Sequence, residues 1–409
     1  MWMMNAIRKL IWLFPVSALT LACSAGGGMV DSPGDRGLDP KRLGRLDDIM
    51  KEALTNRDFP GAVILAGRKD KIVFRKAYGD SQWIPAKKPM TVKTIFDLAS
   101  LTKPMATAAS VMILAERGML SLEDRVIKYV PEFSAYADEI GEAGENARLW
   151  HLLTHTSGLL PYTVDKDAKD VEAVYGNPCP TEFLVRFISG LRKTDPPGKA
   201  FHYSCLGYIT LAHIIKIVSG QSVAEFAAEN IFQPLKMKHT FFTPADKVKT
   251  LCAPTLVIEG RPLQGVVHDP LARLQGGVSG NAGLFSTADD MAVFAQMMLN
   301  KGQYKGTRIL SPLSVERMTT VYSKAAFAGR GLGWDLDSAY ASNSGEIFGP
   351  SSYGHSGYTG TSIWIDPETS TYLIFNTNRV HPDDKDDRGA MLSWRAKVAN
   401  IVASAVLVK

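Results

Sequence analysis

The sequence predicts an α/β fold: one antiparallel sheet formed by both chain ends and flanked by helices, with an inserted, mostly helical subdomain. Three observations carry this. Strand-like runs occur early, at Gly61 to Gly67 and Lys71 to Tyr78, and return late, at Gly331 to Asp335, Ser362 to Asp366 and Thr371 to Asn376. Between them, from Glu123 to about Asp289, the character changes to helices and long loops. The composition, 45% hydrophobic and 21% charged over 409 residues, belongs to a soluble globular chain long enough to bury a large core. Strands at both ends with helices between them close into one sheet.

Taken in order, Asp39 to Thr55 sets Leu43, Leu46, Ile49, Met50 and Leu54 at helical spacing. Arg68-Lys69-Asp70 joins the first two strand runs as a hairpin. Thr94-Ile95-Phe96-Asp97 leads into a long apolar helix, Leu101 to Arg117. Leu206 to Val218 and Val223 to Ile231 carry the clearest amphipathic patterns of the middle segment. Thr287-Ala-Asp-Asp290 has the form of a capping box and opens a helix from Ser286 to Leu299. A last helix runs from about Ala390 to Val406. The folded part reads as a single domain, 38–405, in which 38–122 and 285–405 form the α/β part and 123–284 the helical insertion. No internal repeat or low-complexity segment interrupts it.

The first 25 residues read differently. The basic pair Arg8-Lys9 precedes thirteen mostly apolar residues, Leu10 to Ala22, broken by Pro15. A bilayer span needs about 20 apolar residues, so this stretch fits a secretory signal better than an anchor. Leu21-Ala22-Cys23 resembles the bacterial lipoprotein signal, in which the Cys becomes the lipidated N-terminus, although Thr20 stands where Leu is usual. Ordinary cleavage after Ala25 is the alternative. Residues 1–23 are therefore expected to be a lipoprotein-type signal peptide and 24–37 a flexible tether rich in Gly, Ser, Pro and Asp. The expected location is the periplasmic or cell-envelope side, with membrane contact only through lipid on Cys23.

The formal charge is +5, and two of the positive charges, Arg8 and Lys9, lie in the leader, which leaves +3. Spread over this length, and with no basic run, that excludes a nucleic-acid footprint. Cys179, Cys205 and Cys252 are an odd set, so one disulfide at most can form, and isolated buried thiols are expected. No C-x-x-C spacing points to a metal or redox site.

The stretch Phe96 to Met105 is the most informative. Proline fits only the first turn of a helix, so Pro104 places Ser100 and Lys103 at a helix N-terminus, three apart on one face. A serine hydroxyl needs a base to become a nucleophile, and a buried lysine can serve. An N-cap serine followed by a surface lysine is the plain alternative. Phe201-His202-Tyr203-Ser204-Cys205 sits where a loop meets a helix, so Tyr203 can present its hydroxyl to a cleft; a buried tyrosine with one hydrogen bond is the plain alternative. Tyr353-Gly-His355-Ser356-Gly357-Tyr358-Thr-Gly-Thr has glycines on both sides of His355-Ser356, allowing close backbone approach at a strand start; a tight turn explains it too. Arg379, after the last strand, either binds a substrate carboxylate or belongs to an exposed loop. His151 and His155, four apart, lack the Glu of a zinc helix, because residue 152 is Leu. His268-Asp269-Pro270 fits a turn better than a catalytic dyad. Asn281 either reaches the cleft or braces its loop.

Together these elements resemble the serine β-lactamase and penicillin-binding protein superfamily, most closely its class C β-lactamase, D-Ala-D-Ala carboxypeptidase and esterase branch. That branch is marked by Ser-x-x-Lys, Tyr-x-Asn and Lys/His-Thr-Gly. Here they stand as Ser100-Lys103, Tyr203-Ser-Cys205 and His355-Ser-Gly357. His151 to Leu159 and Gly276 to Thr287 look like the same branch, and the likeness runs from about residue 40 to 405. The resemblance implies a β-lactamase/transpeptidase-like fold, Ser100 as acylated nucleophile, Lys103 as its base and Tyr203 as proton carrier to the leaving group. It implies an oxyanion hole from the backbone N–H groups of Ser100 and Tyr358. His355, Ser356 and Gly357 would line the edge strand against the substrate, and Cys205 replaces an Asn that contacts the substrate amide. No cofactor and no metal are implied. The expected function is an exported serine hydrolase acting on small esters or D-amino-acid amides of the cell wall. A class C-type β-lactamase and a non-catalytic envelope protein binding peptidoglycan fragments or a partner are the alternatives.

Overall fold

The computed structural model describes residues 32–142, 144–162, 172–173, 176–338, 340–385 and 388–407. The leader and Cys23 lie outside them. Among the described residues no helix is long and apolar enough to cross a membrane. The strands that place the site are β1 (Gly61–Arg68), β2 (Lys71–Gln82), β3 (Lys88–Pro89), β4 (Phe96–Asp97), β5 (Phe241–Phe242), β6 (Leu284–Ser286), β7 (Tyr353–Ser356), β8 (Thr361–Asp366) and β9 (Thr371–Thr377). The principal helices are α1 (Pro40–Asn56), α2 (Ala109–Glu116), α3 (Leu149–Leu153), α4 (Thr181–Gly190), α5 (Cys205–Ser219), α6 (Ala288–Leu299) and α7 (Arg388–Ser404).

Both chain ends build one six-stranded antiparallel sheet, ordered β7-β8-β9-β1-β2-β3. This is the α/β class the strand pattern predicts. All eight residues of β1 are buried because the strand is central and covered on both faces. Its side chains alternate, as a pleated strand requires. Ala62, Ile64 and Ala66 join Leu43, Met50, Trp394 and Val398 of α1 and α7, whereas Val63 and Leu65 join the larger core shared with α2, α5 and α6. Asp39 caps α1 by accepting from the Lys41 and Arg42 N–H groups, and Pro40 occupies the first turn, where a missing N–H costs nothing. The two ends are laced together: the Asp39 N–H donates to the Ala405 carbonyl at 2.8 Å, and the Leu407 N–H to that of Gly37 at 2.9 Å.

Three elements differ from their sequence expectation. Gly331 to Asp335 is not a strand; it makes only isolated bridges, because Gly333 takes φ +89° and Gly331 passes so close to the Met318 carbonyl that no side chain fits. The edge of the sheet is β7 instead. The expected helix Leu101 to Arg117 starts as a 3₁₀ turn, Ala99–Leu101, widens to a π-helical run, Lys103–Ala108, and becomes α2. Pro104 has no N–H to offer this first stretch, and π-turns concentrate where a helix carries chemistry. The capping box at Thr287 is half formed: the Thr287 hydroxyl accepts from the Asp290 N–H, but the Asp290 carboxylate turns away to the His239 N–H and the Thr240 hydroxyl.

Candidate active site

Ser100 sits at a strained turn built by its own neighbours. Asp97, at the end of β4, is buried, and its two carboxylate oxygens accept from the Ala99 N–H at 2.9 Å and the His268 N–H at 2.7 Å. The first bond holds Ala99 at φ +46°, a left-handed conformation that costs a non-glycine residue energy and lifts Ser100 out of the strand line. Burial pushes the Asp97 carboxyl up to about 6 against the pull of those two N–H groups. Lys103, fully buried, brings Nζ to 2.9 Å from Ser100 Oγ, 3.1 Å from the Asn281 carbonyl and 3.5 Å from Cys205 Sγ. Burial works to strip the Lys103 ammonium of its proton, while negative charge on Cys205 and Tyr203 opposes this and carries it above its ordinary value. Burial also pushes the Cys205 thiol up, so at neutral pH the thiol is uncharged and that part of the opposition is absent.

Tyr203 packs against the same ammonium, with Lys103 Nζ 5.0 Å from its ring centroid. The next residue, Ser204, caps α5 by accepting from the Gly207 N–H and hands its own N–H to His155 Nδ1 at 2.9 Å. His155 lies tilted over the Tyr203 ring at 4.4 Å, and Tyr340 closes the other contact at 5.1 Å. Tyr203 Oη is 3.5 Å from His355 Nε2. His355 Nδ1 donates to the Ser356 carbonyl at 2.9 Å, which leaves Nε2 as the acceptor facing the tyrosine. Burial, with Arg330 and Lys103 adding to it, holds the His355 imidazole well below the ordinary histidine range, so the ring is neutral. His355 therefore supplies a hydrogen-bond acceptor here, not a cation.

The turn between β7 and β8 docks directly on the backbone ahead of Ser100. The Thr359 hydroxyl donates to the Asp97 carbonyl at 2.7 Å and the Thr361 hydroxyl to the Leu98 carbonyl at 3.1 Å. A Cβ on Gly357 would stand 2.4 Å from that Leu98 carbonyl, so only glycine permits this approach. Ser356 and Tyr358 flank it, and the Tyr358 ring, partly exposed, stacks on His268. Arg379 does not lie on an exposed loop. Its side chain is 6% exposed, pairs with Asp384 at 3.2 Å, donates from Nε to the Tyr358 carbonyl at 2.8 Å and lies over the Tyr358 ring.

Ser100, Lys103, Tyr203, Cys205 and His355 thus converge, with Gly357 and Tyr358 on the adjoining turn. Cys179, Cys205 and Cys252 are free thiols. His151 and His155 do not share a helix face: His151 is in α3 and accepts from the Arg148 N–H, while His155 lies beyond its end at φ +60°. Asp269 caps the short helix Pro270–Leu274, and Asn281 meets Lys103 only through its carbonyl. Four features around the cluster escape a reading of motifs: Asp97, His155, Arg395 and the buried Arg330–Asp335 pair, 3.3 Å apart, whose guanidinium lies 5.7 Å from the Tyr203 ring centroid. Asp97 and His155 stand inside the stretches that carry the resemblance, but their partners are distant in sequence; Arg395 is one of three basic residues in α7, and nothing in the sequence sets it apart from Arg388 and Lys397.

The sequence pattern of the family described as Beta-lactamase matches residues 46–396. A protein of Escherichia coli (strain K12) named "Putative D-alanyl-D-alanine carboxypeptidase" is 29% identical, with 91% of each chain covered. An N-acetylmuramyl-L-alanine amidase of Bacillus subtilis (strain 168) is 31% identical over 83% of this chain and 82% of its own. Among solved structures, EstCE1, a hydrolase with promiscuous acyltransferase activity, superposes with a TM-score of 0.71 at 21% identity, covering 88% of this chain and 98% of that one. The octameric penicillin-binding protein homologue from Pyrococcus abyssi gives 0.67 at 26% identity, with 89% and 79% covered. With the family pattern spanning the whole sheet and every residue of the Ser100 cluster, the chain belongs to the β-lactamase family and is a serine hydrolase of that family.

Proposed function

We propose that the protein hydrolyses small esters or D-amino-acid amides of cell-wall type through an acyl-Ser100 intermediate. The observation that carries this is the buried Lys103 Nζ at 2.9 Å from Ser100 Oγ, with Tyr203 packed on the same nitrogen. Ser100 Oγ attacks the substrate carbonyl while its proton passes to Lys103 Nζ, in the fraction of molecules whose Lys103 has given up its own, with Tyr203 beside it. The N–H groups of Ser100 and Tyr358 take the developing negative charge. Tyr203 protonates the leaving group and regains a proton from Lys103; a water that gives its proton to the same pair then attacks the acyl carbonyl, and that proton passes on to Ser100 Oγ as the acid leaves.

The electrostatics favour esters and amides that lack a carboxylate beside the cleaved bond. His355 is neutral, Arg379 is paired with Asp384, and Arg330 with Asp335. A β-lactam carries such a carboxylate, and Cys205 offers its side chain no amide to bind, so β-lactam turnover is the weaker reading. The name of the Bacillus subtilis relative, an amidase, supports cell-wall amides without such a carboxylate, whereas a D-Ala-D-Ala carboxypeptidase cleaves beside one. The test compares turnover of p-nitrophenyl acetate, an N-acetylmuramyl-peptide and a D-Ala-D-Ala peptide. Hydrolysis of either of the first two, lost in Ser100→Ala, is expected; inertness toward all three contradicts the proposal.

Residues 1–23 fit export as a lipoprotein, and we propose Cys23 as the lipidated residue. Cys23→Ser should move the protein from the membrane to the soluble fraction of expressing cells, and unchanged membrane association would refute it.

A further inference from the structure

Two buried guanidinium groups stand behind the peptide group that carries the Tyr358 N–H. Arg395 projects from the middle of α7, 7% exposed. Its Nη2 donates to the Gly357 carbonyl at 2.7 Å and to the Thr361 carbonyl at 3.0 Å, and its Nη1 to Asn343 Oδ1 at 3.1 Å. The Gly360 N–H adds a second bond to the Gly357 carbonyl at 3.1 Å. Arg379 Nε holds the next carbonyl, that of Tyr358, at 2.8 Å. Consecutive carbonyls on either side of one N–H are therefore both fixed by cations.

The two arginines differ in one respect. Asp384 balances Arg379, whereas the described partners of Arg395 are two carbonyls and an amide, none of them charged. Burial brings the Arg395 guanidinium down to about 9, with Arg379 pushing the same way, so it still carries its charge at neutral pH. A buried cation without a counter-ion is costly, and a neutral side chain of similar size would satisfy packing alone. What the charge does is electronic. The Gly357 C=O and the Tyr358 N–H belong to one peptide group, and a cation on the oxygen draws density from the nitrogen and makes its N–H a stronger donor.

We infer that Arg395 is a positioning residue of the oxyanion hole, which fixes and polarises the Gly357–Tyr358 peptide so that its N–H binds the anionic oxygen of the tetrahedral intermediate more strongly than the ground-state carbonyl. The inference rests on the acyl-Ser100 reading proposed above. A donor strengthened in this way acts on the transition state rather than on substrate binding, so its loss appears in kcat.

The experiment uses p-nitrophenyl acetate labelled at the carbonyl carbon. Rapid-mixing infrared difference spectra of the acetyl-enzyme are compared among the wild type, Arg395→Gln and Asn343→Asp. Arg395→Gln removes the charge. Asn343→Asp leaves Arg395 in place and neutralises it with a carboxylate on Nη1, which keeps the question answerable if Arg395→Gln does not fold. In both variants the ester carbonyl band should move to higher frequency, reporting a weaker hydrogen bond. The value of kcat should fall about tenfold with KM within about twofold, less than the ~10²–10³ lost when a whole oxyanion donor is removed. A lower Tm with an unmoved carbonyl band would show that Arg395 only packs the helix, and would overturn the inference while leaving acyl-Ser100 intact. A wild-type enzyme that forms no acetyl-Ser100 by mass spectrometry would remove both.

Discussion

In the proposed mechanism Ser100 and Lys103 work as one unit, so removing either should cost nearly as much as removing both. Lys103→Met should lower kcat on an activated ester by ~10³-fold or more, because residues that share one proton are not additive. A variant that retains a tenth of the activity would mean that another group takes the Ser100 proton. Asp97 makes a different demand. Its two oxygens face two N–H donors, and an amide in its place must turn a donor toward one of them, at ~1–3 kcal/mol. Its folded pKa of about 6 lies above the ordinary 3.8, so the stability linked to its protonation is complete below the lower value and is lost as pH rises through the upper one. The Tm advantage of the wild type over Asp97→Asn should therefore shrink between about pH 4 and pH 6; an advantage that grows over that range would contradict the assignment. The meeting of Ser100, Lys103 and Tyr203 was legible in the sequence because their spacing is local or flanks a recognisable helix start. Asp97, His155 and Arg395 were not, because each is defined by a partner far along the chain, such as His268 for Asp97.

At the scale of elements, the β7–β8 turn matters most, since it carries Tyr358 and rests on the Leu98 carbonyl two residues ahead of Ser100, the proposed nucleophile. Gly357→Ala places a methyl 2.4 Å from that oxygen and 2.2 Å from Thr361 Oγ1. The turn must lift, and the expected result is ~1–3 kcal/mol of lost stability with a disproportionate loss of kcat. Activity at the wild-type level would show that the turn does not build the oxyanion hole. Cys205→Ala should be mild, because the thiol offers Lys103 only a weak acceptor at 3.5 Å. The early hairpin and the late strands were readable from their apolar runs and turn residues. Gly331 to Asp335 read as a strand because Leu332 and Trp334 are apolar, but what buries them is a glycine-bent loop under the cleft. Period alone cannot separate those two outcomes. Likewise Pro104 correctly marked a helix start, but not the π-helical widening that follows it.

Over the whole molecule, the site depends on residues from both chain ends. The sheet face opposite the cleft is covered only when α1 and α7 lie together, with Trp394, Val398 and Val402 packed on Ile64 and Phe375. A chain ending at residue 387 loses that layer and Arg395 with it. Such a chain should lack the cooperative thermal transition of the full-length protein, and a sharp transition at an unchanged Tm would contradict this architecture. The class of fold was legible because strands bracket a helical middle; the pairing of the two termini follows from closing that sheet, while the hydrogen bonds that lace them had no local signal.

The proposed function stands on acylation of Ser100. Intact-protein mass spectrometry after exposure to a fluorophosphonate tests it most directly, with peptide mapping of the product. One adduct, located on Ser100, is expected in the wild type and none in Ser100→Ala of unchanged Tm. A folded wild-type protein that gains no mass, or gains it on another residue, would contradict it.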